Sequence, residues 1–600
     1  MPSSARVIVE GVLPRQMVNY IWSANYDKAL PITHNDFELS AILPAVFYMF
    51  RFGQRRGPGN FLKTFASGGG TIQKQRSEAT VSKVGNTLAS SPCFTGFNDS
   101  VKKAILGDLL LCFCLENIRH DLGRDKQIQR VAPAHYMASW VDLPLKSAHL
   151  RFAPEMMVAM LANQKGETVT PEASSKRTWF AVAAESPEDN LLLKAFSQGM
   201  DRSRLVANLV GDHFLENDES VGLDQLLMVR LAQQLESAPQ KLRGESTISN
   251  QRPIAEQASR NFSDDIRRFI RAYAEVIPRQ TFLDLLEACV ATGMTNILTS
   301  VVNVLLKWSE TGNIIERQQQ QPADILVDCS NGLDSQLRGL AERSMDDLMR
   351  RIEKIPVILM ILRLLDHAAT NNKKIDKSAI QFHPYATEWL ELLGDILYER
   401  HSEASKISLR MEVYGEDLAT ALRDDYPDAA DLLQNEQGQR NPVWRLARAL
   451  TPLMGTNARR NTIGMVDSTL NIEKPNGLAR KRNTTRGSHS TRNRRQMRQA
   501  RSIVFTDPVL DYLVHLHLLP AGNKPNVRPI SLREFLTQIR ERYGFHVDEA
   551  PPGMSVSNDL LRENRTILER RLRDLGLLVG VNDAEAMKRL QPRFNPIRRD

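Results

Sequence analysis

The sequence predicts a mainly α-helical, multi-domain protein that ends in a winged-helix-like domain. Apolar residues recur at helical spacing over long stretches, and polar Pro- and Gln-rich segments separate those stretches. The last hundred residues give the order helix, helix, helix, strand and turn. Six hundred residues, 42% hydrophobic and 25% charged, are enough for about three or four cores at roughly 150 residues per domain.

Residues 1–170 read as a mixed N-terminal domain, with an apolar helix over 36–52 broken near Pro44. The following stretch, GQRRGPGNFLKTFASGGG, invites a phosphate-loop reading and fails it on spacing. No Gly-Lys-Ser/Thr closes it, and Gly57-Pro58-Gly59 lacks the third glycine of a dinucleotide turn, so it reads as a surface loop. A helical segment covers 171–236, with Leu223, Leu226, Leu227, Leu231 and Leu235 in helical register, and a linker covers 237–262. A helical block follows at 263–317. The segment 318–334 reads as a second linker, opening on the glutamine run before Pro322 and holding a short β-like run, Ile325 to Val327. Residues 335–470 read as a helical domain in which Pro356 divides one helix from the next.

Export and membrane insertion are not expected. MPSSARVIVEGVLPRQ lacks the basic, apolar and small-residue regions of a secretory signal. The apolar stretch from Ile355 to Leu365 is interrupted by Pro356 and Arg363, and falls short of the roughly 18 residues of a spanning helix. Five cysteines, Cys93, Cys112, Cys114, Cys289 and Cys329, with no repeated CxxC spacing, point to neither a disulfide framework nor a zinc site. Cys112 and Cys114, in LLLCFCL, read as buried small hydrophobes. A reducing cytoplasm fits.

Few residues invite a catalytic reading. The chain has no HExxH, no GxSxG elbow and no Walker A loop. Asp328 follows the β-like run, as an acid does when a strand delivers it to an active-site edge, but the sequence identifies no second carboxylate for it. His120-Asp121, with His135 or His149, has the residue types of a phosphohydrolase metal site, and competes with a salt-bridge cluster of Arg119, Asp121, Arg124 and Asp125. His515 and His517 lie about 200° apart on a helix and cannot share a ligand-bearing face. No cofactor or metal is indicated.

Charge is unevenly distributed. The chain carries +8 overall, but residues 471–600 hold 25 Lys or Arg against 14 Asp or Glu, whereas the remainder holds 53 against 56. Such a localised positive field concentrates polyanions. Within 471–503 lie Arg480, Lys481, Arg482, Arg486, Arg492, Arg494, Arg495, Arg498 and Arg501, and no acid occurs between the first and last of them. That composition predicts a disordered arm, and arginine forks suit phosphate oxygens. Neutralising about five or six phosphates gives a salt slope of roughly −5.

Residues 504–600 predict three helices and a strand. The first runs from Asp507 to Leu519; the second has Ser531 as N-cap, Glu534 three residues on and a stop at Gly544; the third runs from about Asn558 to Leu575 and stops at Gly576 before LLVGV. Arg562, Arg565 and Arg573 share one arc of the third helix and are the candidate groove contacts, although Glu569 sits among them and Arg565 lies near the apolar stripe. The 545–557 connection is far longer than the turn of a tight helix-turn-helix. DNA contact and protein docking both fit such a module.

The block from REFLTQIRERYGFHVDEAP through NRTILERRLRDLGLLVGVNDAEAMKRLQPRF resembles the C-terminal ends of large proteins in bacterial anti-phage loci, such as the methylation-associated defence systems. The resemblance implies a cytoplasmic protein working beside a modification methyltransferase and other subunits on phage DNA. Together these readings give a nucleic-acid-binding scaffold, contacting DNA or RNA and other defence subunits. The alternatives are a nuclease or phosphohydrolase in the N-terminal domain or near Asp328, and a pure protein-interaction subunit.

Overall fold

The computed structural model of the protein describes residues 4–53, 61–66, 79–116, 128, 130–141, 150–162, 180–199, 221–235, 247–250, 252–371, 376, 380, 383, 385–435, 441–485, 497–520, 527–580 and 588–596. It is mainly helical. The first elements are α1 (Ala5–Val12), α2 (Arg15–Ile21), α3 (Ile42–Phe52), α4 (Phe61–Phe65), α5 (Val81–Ala89), α6 (Ser100–Phe113), β1 (Leu115–Glu116), β2 (Arg130–Val131), α7 (Ala153–Leu161), β3 (Phe180–Ala183), α8 (Leu191–Ala195), α9 (Leu223–Gln234) and β4 (Thr247–Asn250). Next come α10 (Glu256–Tyr273), α11 (Arg279–Thr311), β5 (Ile325–Asp328), α12 (Ser335–Ile352), α13 (Ile355–Asn371), α14 (Ala386–Leu397), α15 (Ala404–Leu422), α16 (Pro427–Gln434), α17 (Pro442–Leu453) and α18 (Thr456–Thr469). The chain closes with β6 (Ala479–Thr485), β7 (Met497–Val504), α19 (Asp507–His517), α20 (Leu532–Tyr543), β8 (Phe545–His546), α21 (Asn558–Asp574), β9 (Leu578–Val579) and β10 (Arg589–Leu590).

Local rules place several of these boundaries. Pro356 sits in the first turn of α13, where its missing N–H costs no helical bond, and so separates α12 from α13. Ser531 Oγ accepts from the Glu534 N–H at 3.1 Å at the start of α20. Gly544, at φ +73°, and Gly576, at φ +71°, follow the ends of α20 and α21 in the left-handed region. By contrast α10 begins at Glu256, inside the segment read as a linker.

The 33-residue α11 is the central strut. It is long and apolar enough to cross a bilayer, yet 89% of its apolar window is buried inside the protein. Thr292, Thr295, Asn296, Thr299 and Ser300 interrupt its apolar pattern. All five are buried. Thr292 donates to Ala288 O at 2.8 Å and Thr299 to Asn296 O at 3.2 Å within the helix, Asn296 Nδ2 donates to Arg542 O at 3.2 Å outside it, and Thr295 Oγ1 is buried without a partner among the described residues.

One apolar core runs from Val9 to Leu590. The N-terminal region is tied to the middle of the chain by a buried ion pair, Lys28 Nζ to Asp366 Oδ2 at 2.9 Å, and by the Phe37 N–H donating to Ser468 Oγ at 2.8 Å. Four strands form one sheet in the order β6-β7-β5-β8, with β5 parallel to both neighbours and β6 antiparallel to β7. This corrects the expectation of a disordered arm over these residues: 479–485 and 497–504 are a paired hairpin. Residues 500–504 of β7, Ala500, Ile503 and Val504 among them, are all buried, which gives the ladder the apolar support that composition alone did not reveal.

Candidate nucleic-acid interface

The hairpin cations are met by acids from distant parts of the chain. Arg482 makes a two-pronged contact with Glu342 of α12, Nε to Oε1 at 3.0 Å and Nη2 to Oε2 at 2.7 Å. Arg501, only 6% exposed in its side chain, grips both carboxylate oxygens of Asp467 on α18, and Lys481 Nζ lies 3.5 Å from the same Asp467. Arg480 Nε donates to Asn331 Oδ1 at 3.2 Å, and its Nη1 lies 3.7 Å from Glu473. The absence of a local acid therefore did not mean absence of compensation. In addition β6 is an edge strand, where cationic side chains also guard against pairing with another chain. Arg498 lies in β7, and Arg486, Arg492, Arg494 and Arg495 lie outside the described residues.

Asp467→Asn should lower stability by about 2 kcal/mol, because it weakens charge-assisted bonds to a buried guanidinium. A fall in amide-exchange protection along the β6–β7 pairing measures it, and unchanged protection would show that Arg501 has no need of this partner.

The C-terminal module presents a different surface. Residue Ser531, before α20, bridges to Arg589 of β10, and β10 pairs antiparallel with β9 directly after α21. On α21 the apolar stripe of Leu561, Leu568 and Leu572 is buried. The opposite side is an exposed row of Arg562, Thr566, Arg570 and Arg573, spaced four, four and three residues apart. Arg562 is 82% exposed in its side chain and meets only Asp559, at 4.0 Å. Arg573 lies 3.9 Å from Glu569.

Arg565, expected to join this row, does not. Its side chain is tucked against the 545–557 connection, with Nη1 3.5 Å from Asp548 and Nε 3.3 Å from Glu569. Glu569 is buried and is also met by Lys588 Nζ at 2.8 Å. Arg570 was overlooked in the sequence, although the i, i+4, i+8 spacing from Arg562 gives it away. Among the described residues Arg570 and Arg589 make no ion pair, and both are exposed.

The Asp328 site is closed. Its carboxylate is 1% exposed and accepts from the Ser330 N–H at 2.8 Å, the Ser330 hydroxyl at 2.5 Å and the Gly332 N–H at 2.9 Å. It thereby caps a turn through Asn331 (φ +56°) and Gly332 (φ +86°) that launches α12. Burial pushes the Asp328 carboxyl up from its ordinary value, and the three donors oppose that rise. Open parallel sheets usually bind ligands in the crevice beyond their strand ends. Here Asn564 of α21 fills it: its Nδ2 donates to Val327 O at 2.8 Å and Val547 O at 2.9 Å, and its Oδ1 accepts from the Cys329 N–H at 2.9 Å.

No group of three or more His, Cys, Asp or Glu suited to a metal occurs among the described residues. His120, Asp121 and His149, with Arg119, Arg124 and Asp125, lie outside them, and His135 is a buried helix cap whose Nδ1 accepts from the Met137 N–H at 3.2 Å. His515 is buried and its Nε2 accepts from the Arg593 and Phe594 N–H groups at 3.1 and 3.2 Å, whereas His517 packs between Phe535 and Tyr543. Cys114 is buried and Cys112 exposed, and both are free thiols.

Comparison with known proteins extends the C-terminal resemblance over most of the chain. A family model described as methylation-associated defense system protein MAD7 matches residues 59–594. The chain belongs to the MAD7 family. No curated protein and no solved structure matches it. Membership makes this MAD7 protein a component of a methylation-associated anti-phage defence system, whose other components are its natural partners. The match takes in the four-stranded sheet, the closed Asp328 turn and the whole C-terminal module.

Proposed function

We propose that this MAD7 protein is a DNA-contacting, scaffolding subunit of its defence system, acting in the cytoplasm through a C-terminal winged-helix-like module. The carrying observation is the exposed row Arg562, Thr566, Arg570 and Arg573, which stands on the side of α21 away from the core; Arg589 of the following hairpin is exposed as well. Apart from β8, which joins the larger sheet, the order helix, bridge strand, helix, helix and hairpin is the one in which winged helices present a reading helix and a wing. Basic residues on such a row neutralise phosphates and release counterions, so affinity falls steeply with salt. The tract holding Arg486, Arg492, Arg494 and Arg495 is the second proposed contact.

Duplex binding across a salt series tests the reading. Arg562→Ala, Arg570→Ala and Arg573→Ala together are expected to weaken binding at least about tenfold and to flatten the salt slope by roughly 2 to 3. The folded state should be little affected, since exposed substitutions away from buried partners usually stay within about 0.5 kcal/mol. Unchanged affinity and slope would reassign the module to protein docking. That second reading draws support from one observation: Arg480, Lys481, Arg482 and Arg501 are already engaged by the body of the protein.

A further inference from the structure

The glutamine run that reads as a linker in the sequence is part of a wall. Gln320 is buried, and its Nε2 donates to Ile254 O at 3.2 Å and Ile315 O at 3.0 Å while its Oε1 accepts from the Gln257 N–H at 3.2 Å. Asn303 Nδ2 donates to Gln321 O at 3.0 Å. Pinned in this way, the run sets Gln318 and Gln321 along one side of a cleft of about 480 Å³ between α10, α11, α19 and α20. Gln257, Asn261, Asn296 and Gln538 line its other sides. Its size falls within the roughly 300–1,000 Å³ of small-molecule sites.

Neighbours fix the orientation of Gln257, Asn261 and Gln538. Gln257 Nε2 donates to Asn261 Oδ1 at 3.0 Å, which leaves the Gln257 carbonyl as an acceptor and the Asn261 amide as a donor. Burial, followed by the charge of Arg542, pushes His517 down to about 3, so its ring is neutral. The ring therefore bonds Gln538 Oε1, 2.9 Å away, through a protonated Nδ1, and the Gln538 Nε2 protons remain for a guest. The two guanidiniums in the walls are already paired, Arg268 with Asp264 at 3.3 Å and Arg542 with Asp265 at 2.6 Å. A phosphate would find no free cation in this cleft.

Glu541 adds an exposed carboxylate to the lining, which disfavours a phosphate further, and walls that offer carboxamide donors and acceptors beside it suit an uncharged heterocycle with both on one edge. Carboxamides pair bidentately with the N6/N7 edge of adenine. We propose that this cleft binds a single nucleoside, with adenosine preferred over guanosine, cytidine and thymidine. Free nucleosides lack a phosphate backbone and so probe the cleft separately from duplex affinity.

The test is saturation-transfer NMR on the full chain with each of the four nucleosides and with ribose, followed by titration. Adenosine is expected to show transfer to its base protons and ribose none. Asn261→Leu and Gln538→Leu should each weaken adenosine about fivefold, the scale of one lost hydrogen bond. Gln318→Leu, on the exposed part of the run, supplies a variant that leaves the His517 contact untouched, and it should weaken binding in the same direction. Absence of transfer from every nucleoside, equal transfer from ribose, or adenosine affinity unchanged in all three variants would overturn the assignment.

Discussion

Asn564→Leu is expected to destabilise the sheet and the helix beside it by about 3–5 kcal/mol, because one side chain satisfies three buried backbone groups and leucine satisfies none. The Cys329 N–H, Val327 C=O and Val547 C=O all lose their bond to Asn564 in a place that water does not reach. Leucine has similar bulk, so the crevice stays filled and the penalty is one of unpaired polarity, not of a cavity. A chain of this size does not unfold in a single step, and a global midpoint would blur the effect. Amide exchange at Cys329 is the direct readout, with protection expected to fall by at least about a hundredfold. Thr566→Leu, two residues away on the exposed row, is the matched control and should stay near parent protection. Equal protection in the Asn564 variant would mean that the strand ends are held by something other than this amide.

The same residue marks a limit of the sequence reading. Local signals carried the helix ends: Ser531 with Glu534, Gly544, Gly576 and Pro356 all act within a few residues of themselves. The short strand ending at Asp328 was legible from its apolar run, and membership of the defence family was legible from the C-terminal block. The partners of the basic hairpin were not. Glu342 lies 140 positions from Arg482 and Asp467 lies 34 positions from Arg501, and no periodicity links residues that far apart. The role of Asn564 was equally silent, since a lone polar residue in a charged helix reads as solvated until the fold sets it against two strand ends. Arg565 and Arg570 were separable in principle. At 100° per residue the first adjoins the apolar stripe and the second does not, and the half-buried contact of Arg565 with Asp548 is the outcome that geometry implies.

Gly544→Ala is the second substitution expected to have a large effect, at about 3–5 kcal/mol, the sum of a left-handed backbone penalty and a steric clash. At φ +73° this glycine ends α20, and a Cβ there would lie 2.2 Å from the carbonyl oxygen of Ala323. That oxygen belongs to backbone and cannot rotate aside. Its neighbour Ile325 donates its N–H to Gly544 O at 2.8 Å, so relief of the clash must pull β8 away from β5. Gly576 offers an internal comparison: it ends α21 at φ +71°, yet a Cβ there meets nothing within 4 Å. Gly576→Ala should therefore cost only the backbone term, about 1–2 kcal/mol. Exchange at the Ile325 amide for the first variant, and at the Leu577 amide, which donates to Leu572 O at 2.8 Å, for the second, separates the two contributions. If the two alanines cost the same, the close approach of Gly544 to Ala323 carries no energy. If Gly544→Ala costs more and also weakens duplex binding while the exposed arginines remain in place, then the seam between the sheet and the C-terminal helices is what holds the arginine row in position.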